Sequence, residues 1–157
     1  MKRQPYIGEP YEISTIDYLK GILHTYADLN EQSSDLSYDF DLITIGASKD
    51  MISVIKKQFI EFREESFQLK LIQEETFISE IKSWLYQNGN MTVLKVAQTK
   101  QDEELNHLYK LFNKALTLSE IYKISELSDS YYFGVSSDYY ILKGDNKCYL
   151  LYFLYTD

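Results

Sequence analysis

The sequence predicts an α+β fold, with a mixed β-sheet, helices mainly on one face and a C-terminal antiparallel β-meander ending in a hairpin. Three observations carry this reading. Apolar residues recur at helical spacing in several stretches, the period changes to two between them, and the C-terminal segment is rich in strand-type residues broken by Gly144-Asp145-Asn146. The predicted order is helix, strand, helix, strand, helix, strand, two helices and a meander, too irregular for a doubly wound sheet. Its central βαβαβ stretch permits parallel pairing, hence a mixed sheet.

The first helix is expected to start at Ser14, paired with Asp17 in a capping arrangement, and to carry Ile16, Leu19, Ile22, Leu23, Tyr26 and Leu29 on one face. Gly21 in its middle costs about 1 kcal/mol relative to alanine. Over residues 35–45, Leu36, Tyr38, Phe40 and Leu42 alternate with Asp35, Ser37, Asp39 and Asp41, the pattern of a strand with one dry and one wet face. Ser48 is placed to cap a helix bearing Met51, Ile52, Ile55, Phe59 and Phe62. Residues 67–72 alternate again as a strand, and Thr76 opens a short helix with Ile78, Ile81, Trp84 and Leu85 that stops at Asn88-Gly89.

Residues 91–97 read as a strand. Asp102, Glu103 and Glu104 complement the positive end of a helix with Leu105, Leu108, Leu111, Phe112 and Ala115 on its apolar side. Thr117-Leu118-Ser119-Glu120 has capping-box spacing and predicts a further short helix to about residue 127. Strands follow at 131–135, 139–143 and 147–155. The last is apolar on both faces, which suits an interior position; as an edge it would invite pairing with a second copy, a homodimer through the C-terminal strand.

The 157 residues suit one domain, 1–157, able to bury roughly two-thirds of its unfolded surface. The chain carries no signal-peptide pattern, no 18-residue apolar run and a single cysteine, Cys148, so a cytoplasmic setting and no membrane span are expected. A net charge of -8 disfavours direct nucleic-acid binding, which is driven by lysine and arginine. The excess lies at the two ends: residues 1–46 sum to -5, 47–100 to +1 and 101–157 to -4.

No catalytic or cofactor signature stands out. The six glycines are scattered, two histidines and one cysteine are too few for a zinc site, and nothing near Cys148 in sequence lowers its pKa. No cofactor is expected. Asp35, Asp39 and Asp41 share one strand face, Asp39 and Asp41 about 7 Å apart and Asp35 about 13 Å from Asp39, an arrangement open to metal-assisted hydrolysis but equally that of a solvated or partner-binding face.

Fifteen tyrosines form the other peculiarity. Tyrosine is enriched at interfaces, and is also a favoured strand residue. Together the acids and tyrosines point to a small inhibitor that occludes a basic protein partner, in the manner of an immunity protein or a phage-type inhibitor. Asp35, Asp39, Asp41, Asp129 and Asp138 would supply the charge, and Tyr131, Tyr132, Tyr139 and Tyr140 the anchors. The alternatives are a homo-oligomeric accessory or small-molecule-sensing domain and, third, a carboxylate- or metal-dependent hydrolase.

Overall fold

The computed structural model describes residues 15–32, 34–46, 50–64, 66–87, 96–125 and 136–156. Helix α1 (Thr15–Glu31) leads into strand β1 (Ser37–Gly46), followed by α2 (Met51–Gln58) and a 3-10 turn, Ile60–Phe62. Strand β2 (Gln68–Leu71) precedes α3 (Glu74–Lys82), which runs on into a wide π-type turn, Ser83–Gln87. Helix α4 (Gln98–Leu116), β3 (Glu120–Ser125), β4 (Ser136–Lys143) and β5 (Cys148–Thr156) complete an α+β fold. The predicted strand at 131–135 and residues 91–95 of the predicted strand at 91–97 lie outside the described residues, as do Ser14, Ser48 and Asn88-Gly89.

The five strands form one sheet in the order β1-β5-β4-β3-β2. Among the described residues all four pairings are antiparallel, which corrects the expected mixed sheet. β1 and β2, the strands whose sequential order suggested parallel pairing, stand at opposite edges. The reason lies in β5: with apolar side chains on both faces it takes an interior place, and its neighbours are β1 and the hairpin partner β4. Both of its backbone edges are therefore occupied, so the homodimer expected of an exposed C-terminal strand has no edge there to form on.

The edge strand β1 is blunted by side chains of its own chain. The Tyr38 amide donates to Glu31 Oε1 at 2.7 Å and the Leu42 amide to Asp41 Oδ1 at 2.8 Å, while Lys20 Nζ donates to the Leu42 carbonyl at 3.0 Å. These three backbone groups are thus engaged and cannot template another strand.

Helices α1, α3 and α4 cover one sheet face and the short α2 with its 3-10 turn lies on the other, as the two core clusters show. The larger core sets Leu23, Phe77 and Phe112 against Phe40, Tyr140, Leu151 and Phe153. Trp84 stacks on Phe153 with ring centroids 5.7 Å apart, and Phe40 meets Phe153 edge-on at 5.1 Å. The smaller core joins Ile55, Phe62 and Phe67 to Tyr139, Ile141 and Leu150. Alternation along β1 places Tyr38, Phe40 and Leu42 in the larger core, as the sequence pattern predicts.

Other boundaries differ from expectation. Helix α2 is capped by Asp50, whose carboxylate accepts from the Ser53 amide at 3.1 Å. Helix α3 starts at Glu74, two residues before Thr76, with Glu74 and Glu75 at its positive end. Helix α4 begins at Gln98 rather than 102; Val96 and Ala97, the described part of the predicted strand at 91–97, immediately precede it, Ala97 at the cap.

The predicted helix after Thr117 is β3 instead. Thr117 adopts a left-handed φ of 51° and ends α4, its amide donating to Asn113 O at 2.9 Å. Ile121, Tyr122 and Ile124 then favour the pleated strand, with Ile121 and Ile124 buried on opposite faces. Gly144 is required where the hairpin passes this junction, since a Cβ there would stand 2.3 Å from the Leu116 carbonyl oxygen.

Candidate ligand pocket

The acidic stripe read from β1 does not converge. Asp41 accepts from Lys20 Nζ at 2.8 Å and faces His24 Nε2 at 3.1 Å. Burial works to raise its pKa, but the Lys20 hydrogen bond, the Leu42 amide and the Lys20 charge outweigh burial and hold it below the usual value. Asp39 instead accepts from Tyr152 Oη at 3.1 Å, and exposed Asp35 precedes the strand. Among the described residues no group of three or more His, Cys, Asp or Glu side chains is placed to hold a metal ion.

The tyrosine anchors are also divided. Tyr139 is buried in the smaller core, 5.1 Å from the Phe62 ring, while Tyr140 is fully buried in the larger core and donates to Glu80 at 3.0 Å. Asp138 shares the Tyr140 side, accepting from Trp84 Nε1 at 2.7 Å and pairing with Lys123 at 3.4 Å. Lys123 also pairs with Glu80, so Asp138 belongs to a network that ties β3 and β4 to α3 and the π-type turn. Asp39 and Tyr139 do meet, on the opposite face, around a 370 Å³ hollow with Tyr152 and Phe59. Asp129, Tyr131 and Tyr132 lie outside the described residues. Cys148 is buried; burial raises its thiol pKa, and Sγ contacts Met51 Sδ at 3.7 Å.

Among the described residues a further cavity lies beside α1 and α4. It measures about 750 Å³ and is lined by Asp17, Tyr18, Gly21, Ile22, Thr25, Tyr26, Leu29, Tyr86, Val96 and Glu104. This volume is in the range of small-molecule sites. A 280 Å³ extension shares Ile22, Tyr26 and Glu104 and continues toward Lys100, His107 and Leu111. The helical period of α1 puts Ile22, Tyr26 and Leu29 along this side, and α4 supplies Glu104 from its second turn.

Its polar floor is a triangle of oxygens. Tyr86 Oη donates to Glu104 Oε2 at 2.7 Å, Tyr26 Oη lies 3.0 Å from the same oxygen, and the two phenols are 2.6 Å apart. The rings meet edge-on at 5.4 Å. Burial pushes the Tyr26 phenol up to about 12, with the Tyr86 hydrogen bond opposing and the Glu104 charge assisting. Burial, then hydrogen bonds to Tyr26 and Glu104, raise Tyr86 as well. Both phenols therefore stay protonated at neutral pH.

Behind the floor, fully buried Asn30 donates to the Tyr26 carbonyl at 2.8 Å and the Leu85 carbonyl at 3.3 Å, fastening α1 to the π-type turn that carries Tyr86. Sequence reading missed this pocket, since its members lie 60 and 78 positions apart along the chain. The one local signal was Gly21, whose presence inside a helix has a cost without an evident local return.

Among the described residues, no helix is long and apolar enough to cross a membrane. Comparison with protein-family models, curated proteins and solved structures finds no match to this chain.

Proposed function

We propose that the chain is a small acidic binding protein that docks a basic protein partner and acts by occlusion, the mode of an immunity-protein-like or phage-type inhibitor. One observation carries the reading. The segment from α1 through β1 holds six carboxylates and one lysine, and that lysine, Lys20, is folded onto Asp41. The unit thus presents a net charge of -5 with its own cation already committed. Exposed Asp28 and Asp35 stand at the end of α1 and the entry to β1, where they can steer a cationic surface.

The test is affinity capture from the native cell lysate at low and high salt, with the retained proteins identified by mass spectrometry. A stoichiometric basic protein, retained at low salt and lost both at high salt and with an Asp28→Asn/Asp35→Asn bait, is the expected result. Recovery of the bait alone at low salt overturns the proposal.

A further inference from the structure

We infer that the cavity beside α1 and α4 is a binding site for a small organic amine, with a primary ammonium on the triangle floor and an apolar stem along the walls. This site is independent of the basic-partner reading and would stand if that reading failed.

The argument begins with protons. Three oxygens, Tyr26 Oη, Tyr86 Oη and Glu104 Oε2, share two phenolic protons within 2.6–3.0 Å of one another. Whichever phenol donates to the other, both protons are spent inside the triangle. Thr25 Oγ1 likewise donates inward, to the Gly21 carbonyl at 2.8 Å. What this floor offers a ligand is lone pairs, above all those of Glu104 Oε1, which has no hydrogen-bond partner among the described residues. The complement of an acceptor-only floor containing a carboxylate is a cationic donor.

The walls decide the rest of the ligand. Ile22, Leu29 and Val96 are apolar, Tyr18 carries a hydroxyl and Asp17 adds a second carboxylate to the lining, while Lys100 of the extension pairs with Glu103 at 3.8 Å, so an anion is disfavoured. An uncharged apolar guest would leave the Glu104 oxygen desolvated without a donor, a costly state. At about 750 Å³ the space exceeds a single lysine side chain, and the lysine-amide arm of the test separates a free amine from the tip of a partner's residue.

Gly21 is the second, independent observation. It sits mid-helix, where glycine is poorly suited, yet a Cβ built there meets nothing within 4 Å. Among the described residues no close approach by backbone or side chain requires glycine at this position. What its missing side chain does is keep the cavity wall open.

Calorimetric titration of the full chain with phenethylammonium tests the site, with 2-phenylethanol and 3-phenylpropionate as neutral and anionic controls and N-acetyl-lysine methylamide as the side-chain arm. Phenethylammonium is expected to bind best and the anion not at all. Glu104→Gln, which keeps the shape and removes the charge, is expected to weaken the ammonium about tenfold or more while leaving the alcohol unchanged. Gly21→Leu should abolish binding with the helical circular dichroism retained. Ammonium binding no better than the alcohol's in the unaltered chain overturns the proposal, as does full affinity in Glu104→Gln. Equal or tighter binding of the lysine amide overturns the assignment to a free amine.

Discussion

Replacing Gly21 by alanine separates what the helix needs from what the cavity needs. The residue lies in the interior of the 17-residue α1, is exposed, and has open space where a Cβ would go, so the substitution introduces no clash. The remaining effect is the difference in helix propensity, about 1 kcal/mol in favour of alanine. Unfolding entropy near 2.1 cal/mol/K per residue over 157 residues converts this into a rise in melting temperature of roughly 3 °C. Differential scanning calorimetry of both proteins at the same concentration and pH reads the shift directly. An unchanged or lower melting temperature would refute the reasoning, because it would mean that the space beside Gly21 is filled or that α1 bends there.

Three further outcomes follow from other contacts. Thr117→Gly should stabilise the chain by about 1 kcal/mol in chemical denaturation, since a β-branched residue holds the left-handed φ of 51° that glycine adopts without strain. Asp41→Asn should lower stability at neutral pH. Because the folded Asp41 carboxyl titrates below its unfolded value, its contribution is complete above that value and disappears as pH falls through the folded one; the gap between variant and parent in urea melts should close only in strong acid. Cys148, buried and with a raised pKa, should react slowly with a thiol reagent in the native protein and rapidly in denaturant, and fast native labelling would contradict its placement in the core.

Much of the architecture was legible because it rests on periodicity. The alternation of Tyr38, Phe40 and Leu42 identified β1 and its inward face, and the two-faced apolarity of residues 148–154 identified an interior strand. Local signals failed where two spacings coincide. Leu118, Ile121, Tyr122 and Ser125 fit a helical stripe as well as a strand, and the capping-box spacing at Thr117 pointed to a start where the chain makes a stop. Strand direction was not legible from order alone, since β5, last in sequence, takes the place beside β1.

The sites were less legible than the fold. A run of alternating aspartates resembles one surface, yet an edge strand lets Asp41 turn toward α1 while Asp39 meets Tyr152. Adjacent Tyr139 and Tyr140 necessarily point to opposite faces, so one strand divides them between two cores. The Tyr26–Tyr86–Glu104 triangle is assembled from α1, the π-type turn and α4, and no spacing in the sequence relates them.

The most direct measurement is a titration of the 15N-labelled chain with phenethylammonium, followed by amide chemical shifts. Shifts concentrated at Tyr18, Gly21, Ile22, Thr25, Tyr26, Tyr86 and Glu104 are the predicted result, because those residues line the cavity. Shifts centred instead on Asp39 and Asp41 would place the cation on the β1 acids, and shifts spread evenly over the acidic surface would reduce the interaction to general charge attraction; either pattern contradicts a built site beside α1 and α4.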